Sequence, residues 1–275
     1  MSTGHPTKHA VKRAVKHCAM LLGPLTRRRG LRILTYHSVG ARDHDMNVRP
    51  EQFREQMEWL AKDKCVIPLD AALETEESVV ITFDDGYRDN LVNAAPVLHA
   101  LGLPATVFIV AGRVGGILDH DTSDPSNKLM SWPDIEQWLA GGFNIGCHSM
   151  THRRLSQLFE EEQRGEIIDS ARLLRERFSN PVEAFAYPFG SAADYDATSI
   201  RLVREAGFTL ALSNRYGVNG LERDCWALRR IWIDATDDLG TFRAKVEGRL
   251  DVLSILDSPA GLAARRSLNR VLGVK

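Results

Sequence analysis

The most constraining feature of this sequence is an apolar run that ends in two adjacent carboxylates and a glycine. Val79–Phe83 is continuously apolar rather than alternating, which predicts a strand buried on both faces, as in a parallel sheet. Asp84, Asp85 and Gly86 follow directly, and the glycine allows a sharp turn at the carboxyl end of the strand. Ligands of α/β folds bind at that end of the strands. Because two adjacent acids are unfavourable there unless a cation neutralises one, the pattern predicts a binding site, with a solvated Asp-Gly turn as the alternative.

Similar apolar runs alternate with helical patterns along most of the chain. The strands are predicted at 31–38, 79–83, 105–110, 143–147, 184–189, 208–213 and 228–233, with helices at 90–101, 133–139, 160–178, 199–206 and 239–253 and another that begins at Pro50. This alternation predicts an α/β fold, either a parallel barrel or a doubly wound sheet. A length of 275 residues fits one large domain of that kind.

The charge distribution is balanced overall but uneven along the chain. The net charge of -1 predicts no strong field for nucleic acid, whereas the first acidic residue, Asp43, follows a basic leader at residues 1–30. A basic amphipathic helix at about 9–22 is predicted to lie on a membrane surface, with a solvated or domain-packed helix as the alternative. Without a convincing signal peptide or spanning segment, we expect the protein in the cytoplasm or at the inner face of the cytoplasmic membrane.

Two histidines follow the predicted strand at 143–147. His148 and His152 are four residues apart, and one helical turn would bring both imidazoles to the same face. Together with one carboxylate they form a set of three metal ligands that leaves positions open for water and substrate. Asp85 would then bind the metal, while Asp84 stays free to remove a proton from water.

These residues resemble the motifs of the polysaccharide deacetylases, carbohydrate esterase family 4. Thr82–Gly86 and His148–His152 are similar, in order, to the first two motifs of that family, and Tyr187–Gly190 to the third. The resemblance covers about residues 31–233 and implies a distorted (β/α) barrel of about seven parallel strands in a single domain. It further implies hydrolysis of N-acetyl amides of N-acetylglucosamine units, or of O-acetyl esters.

The resemblance also assigns roles to particular residues. It implies Asp84 as the general base, and Asp85, His148 and His152 as ligands of one divalent metal ion, with Zn²⁺ as the default and Co²⁺, Ni²⁺ or Fe²⁺ as alternatives. The backbone N–H of Phe189 is expected to hold the oxyanion, since the preceding proline has no N–H.

Two departures from the family pattern require replacements. The family usually carries an arginine that orients the base, where this chain has Ala186. Arg230 is our candidate for that role, with a surface salt bridge as the alternative, and Arg229 would point to the opposite side of an extended strand.

The second departure concerns the general acid. The chain has no histidine after His152, although many members of the family use a C-terminal histidine as the acid. It resembles instead the poly-N-acetylglucosamine deacetylase branch, which has an early Tyr-His motif, here Tyr36-His37. His37 is therefore predicted as the general acid, a role that suits a histidine near neutral pH.

Other residues of the predicted site are less distinctive. Tyr187 and Trp232 are predicted to bind substrate, with packing as the alternative for the tryptophan. Asp89 and Asn90 are predicted to cap the helix that follows the acid pair rather than to touch sugar.

The sequence thus predicts a basic leader at 1–30, a catalytic domain at 31–253 and a tail at 254–275. The predicted function is metal-dependent removal of N-acetyl groups from N-acetylhexosamine units of a polysaccharide or glycoconjugate. The alternatives are an O-acetyl esterase, a deacetylase of a lipid-linked sugar precursor and an inactive carbohydrate-binding protein on the same scaffold.

Overall fold

Parallel strands close into a barrel in a computed structural model that describes residues 5–21, 27–41, 44–75, 77–119, 127–257 and 261. The barrel strands are β1 (Arg32–Tyr36), β4 (Val79–Phe83), β5 (Thr106–Ile109), β6 (Asn144–Cys147), β7 (Ala184–Ala186), β8 (Leu210–Tyr216) and β9 (Leu228–Trp232). They follow one another around the barrel in that order, and β9 pairs back with β1. The short strands β2 (Ser38–Val39) and β3 (Asn47–Val48) pair beside the barrel. The predicted barrel of about seven parallel strands is confirmed.

Helices surround the barrel and connect its strands. Their bounds in the described residues are α1 (His5–Leu21), Pro50–Asp63, Ala95–Leu101, Trp132–Ala140, Glu160–Arg164, Ser170–Arg177, Ala197–Glu205 and Leu239–Val246. Two of them continue from one π-helical turn each, at Asn90–Ala94 and Gly165–Asp169. The helix predicted at 239–253 ends early, because Gly248 adopts a left-handed φ of 84° and a 3₁₀ segment follows.

The barrel interior is narrow and filled by side chains. Val80, Phe108, Ala186 and Leu212 belong to one buried cluster, and each comes from a different strand. Phe108 occupies the space beside β6, where a Cβ atom on Gly146 would lie 2.3 Å from its ring. Side chains alternate between the two faces of a strand. A residue an even number of positions after an inward-facing one therefore also faces the barrel interior.

The basic leader is docked on the barrel. Nζ of Lys16, a residue that is 7% exposed, lies 2.7 Å from Asp237 Oδ1, 3.0 Å from Asp234 Oδ1 and 2.7 Å from Thr236 Oγ1. Lys245 also binds Asp237, so two lysines and two aspartates form one buried network. Because isolated buried charges are unfavourable, each member of this network depends on the others.

This docking selects one of the two alternatives predicted for the leader, packing on the domain. Lys12 pairs with Asp45 at 2.9 Å, and Ala19 packs against Ala244 and Leu250. Lys12 and Lys16 of α1 are thus paired with acidic residues of the domain rather than free to bind a membrane surface. In the part of the chain that the structure describes, no helix is long and apolar enough to span a bilayer. The division into leader, domain and tail stays a prediction. Most of residues 254–275 and residues 120–126, which lie between β5 and the helix Trp132–Ala140, are outside the described residues.

We expect Lys16→Met to lower the free energy of unfolding by about 3–5 kcal/mol, because Asp234 and Asp237 would then share Lys245 alone as a close cation. Urea denaturation followed by circular dichroism measures this change. The matched control is Lys12→Met, whose ion pair is 39% and 31% exposed on its two sides and should contribute about 0–1 kcal/mol. Equal losses in the two variants would contradict the buried network.

Candidate active site

The two carboxylates after β4 point in different directions. Val80 and the residues two and four positions later face the barrel interior, so Asp84 enters the top of the barrel. Asp85 has a left-handed φ of 71° and Gly86 a φ of 78°, which turns the chain sharply at the strand end. Both carboxylates are buried, with 0% of Asp84 and 4% of Asp85 exposed.

Arg230 neutralises Asp84. Nη1 and Nη2 of the arginine donate to the two carboxylate oxygens at 2.7 Å each, and its Nε donates to the Ser213 carbonyl at 2.9 Å. Burial by itself raises the pKa of the Asp84 carboxyl. The charge and hydrogen bonds of Arg230, together with the nearby His148 and His37, outweigh that effect and hold this pKa well below its usual range. The carboxylate is therefore ionised at neutral pH, as a general base must be. Arg229 turns the other way and donates to the Tyr216 carbonyl. The alternative of a surface salt bridge for Arg230 is wrong, because the ion pair of Arg230 with Asp84 is completely buried.

His148 and His152 lie on a bend, so the prediction that they share one helical turn is wrong. Ser149 and His152 have left-handed φ values of 65° and 64°, which a helix does not contain. The His152 N–H donates to Ser149 Oγ at 3.0 Å. Buried Glu166 accepts from the N–H groups of Met150 at 3.1 Å and Thr151 at 2.8 Å. The bend brings the two rings to a centroid distance of 4.9 Å, as the helical turn was expected to do.

The side chains of Asp85, His148 and His152 converge. Oδ1 of Asp85 lies 3.5 Å from Nε2 of His148 and 3.3 Å from Nε2 of His152, and the three ligand atoms lie within 4.8 Å of one another. Nδ1 of His148 donates to the Ala186 carbonyl at 2.7 Å, since a carbonyl can only accept, so Nε2 carries a lone pair toward the carboxylate. A lone pair facing a carboxylate oxygen is a favourable arrangement for binding a cation between them. The donor set therefore fits a divalent metal ion.

Backbone strain is concentrated at this site. Among the described residues, the non-glycine residues with positive φ are Asp85, Ser149, His152 and Phe189. Such conformations are uncommon for side-chain-bearing residues and persist where the surroundings hold them, which happens most often at functional sites. The strain here falls on two of the three candidate metal ligands and on Phe189.

His37 lies next to Asp84. The pairing of Tyr36 with Phe83 and the hydrogen bond from the Asp84 N–H to the Tyr36 carbonyl, 2.9 Å long, place the residues after β1 and β4 side by side. Burial lowers the pKa of His37 to about 4, and the nearby charge of Asp84 only partly opposes this effect. His37 is therefore neutral at neutral pH.

Phe189 and Trp232 lie at the rim, whereas Tyr187 does not. Phe189 is 38% exposed, and its ring lies 4.8 Å from the His152 ring and 3.8 Å from the guanidinium carbon of Arg154. Trp232 is half-buried and donates through Nε1 to the Asn214 carbonyl at 2.7 Å. Tyr187 is 0% exposed and its hydroxyl donates to a backbone carbonyl at 3.0 Å, so its side chain has no free surface for substrate and the prediction of substrate binding does not fit.

Two sets of supporting residues were missed by the sequence analysis. Asp89 and Asn90 do not cap the following helix, which corrects that prediction, and their side chains reach the loop after β1 instead. Glu166 holds the histidine bend, and the local sequence pattern gives no signal for this contact, because it joins two separate elements of the chain.

Comparisons with known proteins match this chain to polysaccharide deacetylases. A family profile described as polysaccharide deacetylase matches residues 73–211, slightly more than half of the chain. YxkH of Bacillus subtilis (strain 168), which carries the provisional name of polysaccharide deacetylase, is 27% identical over 226 residues, or 79% of this chain and 76% of that protein. A poly-beta-1,6-N-acetyl-D-glucosamine N-deacetylase of Staphylococcus aureus (strain N315) is 27% identical over 179 residues, or 61% of each protein.

The fold is also similar to that of a solved structure. Streptococcus pyogenes deacetylase PplD, in complex with acetate, superimposes with a TM-score of 0.69 at 20% identity, over 81% of this chain and 100% of that one. At this level of identity the similarity establishes the fold alone. His37 and Arg230 both lie outside the span 73–211 that the family profile matches, so their placement rests on the geometry described above.

We expect Arg230→Ala to move the acid limb of the pH–activity profile to higher pH. A general base works when it is deprotonated, and without the guanidinium the largest influence that opposes the burial-driven rise of the Asp84 pKa is gone. The pH dependence of activity measures the shift. Arg229→Ala, which removes a half-buried arginine from the other side of the same strand, should leave the profile in place. An unshifted profile in Arg230→Ala would contradict the control of Asp84 by Arg230.

We expect the purified protein to bind about one zinc or similar divalent ion per chain, and His148→Ala to lower the affinity at least tenfold. Isothermal titration calorimetry on chelator-treated protein measures both values. Asp84→Asn is the matched control, because that carboxylate faces Arg230 rather than the histidines and its loss should leave the metal affinity nearly unchanged. Strong binding by His148→Ala would exclude this ligand set.

Proposed function

This chain belongs to the polysaccharide deacetylase family, and we propose that it removes N-acetyl groups from N-acetylglucosamine units of a polysaccharide or glycoconjugate with the help of one divalent metal ion. The observation that carries the proposal is the position of Asp84 beside the convergent set Asp85, His148 and His152. The choice of sugar is supported by the similarity to the Staphylococcus aureus poly-beta-1,6-N-acetyl-D-glucosamine N-deacetylase.

Three side chains converge at the mouth of the barrel, where they could bind one metal ion. Asp85, His148 and His152 would hold the ion, and the Ala186 carbonyl and Glu166 keep the His148 ring and the histidine bend in place. A divalent ion bound there would polarise an acetyl carbonyl and make water more acidic. Zn²⁺ suits two imidazoles and one carboxylate, and Co²⁺, Ni²⁺ or Fe²⁺ are accepted by the same donors.

Asp84 and His37 divide the proton transfers between them. Asp84, kept ionised by Arg230, removes a proton from the attacking water. Expulsion of the amine requires a proton on its nitrogen, and His37 is the donor adjacent to the base. Because a pKa of about 4 leaves His37 neutral at the start, it must gain a proton first, and the proton that Asp84 removes is the nearest source.

The rim residues would orient the acetylated sugar. The backbone of Phe189 is held in its left-handed conformation by a hydrogen bond from the Gly190 N–H to the Pro188 carbonyl at 2.7 Å and by Asn214, which donates to the Phe189 carbonyl at 3.1 Å. This rigid turn supports the assignment of the Phe189 N–H to the developing oxyanion. The half-buried ring of Trp232 is a candidate surface for stacking with sugar.

The test is acetate release from β-1,6- and β-1,4-linked N-acetylglucosamine oligomers, with and without added zinc. We expect release by the metal-loaded protein, its loss on chelation, and a loss of at least about 100-fold in Asp84→Asn. O-acetylated sugars serve as the competing substrates. Release from O-acetyl substrates alone would overturn the proposed N-deacetylase, and full activity of Asp84→Asn would overturn the proposed base.

The acid is tested with the same protein on two leaving groups. His37→Ala should slow amide hydrolysis about 100-fold or more, while hydrolysis of an activated acetyl ester, whose leaving group needs no proton, should change little. Equal losses on both substrates would remove His37 from the acid role.

A further inference from the structure

The loop that carries His37 pairs with β3 and is also bound by one short segment that follows the acid pair. That segment, Asp89–Asn93, begins four residues after Asp85 and overlaps the π-helical turn at Asn90–Ala94. Such turns place one extra residue in a helical turn and occur often at functional sites. Here the turn directs several polar side chains toward residues 37–39.

The contacts are hydrogen bonds to the backbone of the loop. Nδ2 of Asn90, a residue that is 0% exposed, donates to the His37 carbonyl at 2.7 Å. The Val39 N–H donates to Asp89 Oδ1 at 3.2 Å, and Nδ2 of Asn93 donates to the Val39 carbonyl at 2.7 Å. Asp89 also lies within hydrogen-bond distance of the Ser38 hydroxyl. The backbone that follows the His37 Cα atom is therefore held by three side chains from one turn.

The His37 ring itself has less support. Its Nδ1 atom is buried and has no hydrogen-bond partner among the described residues. In comparison, Nδ1 of His148 is held by the Ala186 carbonyl. The direction of the His37 ring therefore depends on where the loop backbone places its Cα atom.

We propose that Asn90 is a positioning residue for proton donation by His37, with Asp89 and Asn93 completing the same clamp. This inference rests on the proposed function of His37 as the general acid. A displacement of about 1 Å in a catalytic group lowers rates by about 100-fold in unfavourable cases, so the hydrogen bond to the His37 carbonyl has a direct effect on the donor. One segment, residues 84–93, would then carry the base, a metal ligand and the support of the acid.

The experiment compares amide and activated-ester hydrolysis in Asn90→Ala, in His37→Ala and in the double variant, with metal content measured for each. We expect Asn90→Ala to lower amide turnover about tenfold or more, and to leave ester turnover and metal content within about twofold of wild type. In the His37→Ala background, the same substitution should change amide turnover by less than about twofold, because the residue through which it acts is gone.

The matched control is Asn219→Ala. Asn219 is another buried asparagine, 5% exposed, that donates to a backbone carbonyl, Arg229 O at 2.9 Å, but it lies next to Leu31 at the opposite end of the barrel. Its loss should affect both substrates equally or not at all. If Asn90→Ala does not fold, Asn93→Ala at a half-buried position tests the same clamp and should show the same substrate-selective loss, smaller in size.

The outcomes separate this inference from the proposed function. Equal losses on amide and ester, or a full further loss in the His37→Ala background, would overturn the positioning role of Asn90. A wild-type protein that releases no acetate from any N-acetylated oligomer would instead overturn the proposed function itself.

Discussion

The ion pair between Asp84 and Arg230 is the interaction on which the site depends. Asp84 and Asp85 are adjacent and both buried, and two neighbouring carboxylates without a cation would not both stay ionised. Arg230 occupies both oxygens of Asp84 and leaves Asp85 to the two histidines. In the proposed function, the pair would determine which carboxylate acts as a base and which as a metal ligand. A buried ion pair of this kind adds little to stability on average, which favours a functional reason for its presence.

The barrel and the centre of the site could be predicted because their signals are local. Short, largely apolar runs mark the strands that line the barrel, and the period of two along a strand shows which residues share a face. The same period selected Arg230 over Arg229 as the partner of Asp84, and the structure shows that pairing. The acid pair after β4 was recognisable because charged residues directly after a buried strand need a partner.

The residues that support the site could not be predicted because their contacts join distant parts of the chain. Four-residue spacing of histidines suits a helical turn, yet Ser149 and His152 adopt left-handed conformations. Glycine is the usual sequence signal for such a conformation, and neither position is a glycine. The bend exists because Glu166 satisfies its N–H groups from another element. Asn90 after a turn likewise suggests a helix cap, but the π-helical turn sends its side chain to the loop of His37. Local preference was overruled by tertiary contacts in both cases.

Closure of the barrel explains how residues from the two ends of the domain can serve one carboxylate. The pairing of Leu34 with Ile231 makes β1 and β9 neighbours, so the residue after β1 lies between Arg230 on β9 and Asp84 after β4. Ala186 and Phe108 belong to the same buried cluster, and the Phe108 ring centroid lies 5.8 Å from the Arg230 guanidinium carbon. Because Arg230 already donates to both oxygens of Asp84, an arginine at position 186 would find no free bidentate acceptor there. Ala186 and Arg230 thus fit one arrangement. Loss of Arg230 would leave the buried charge of Asp84 without its partner, and an arginine at position 186 would bring a second cation to it.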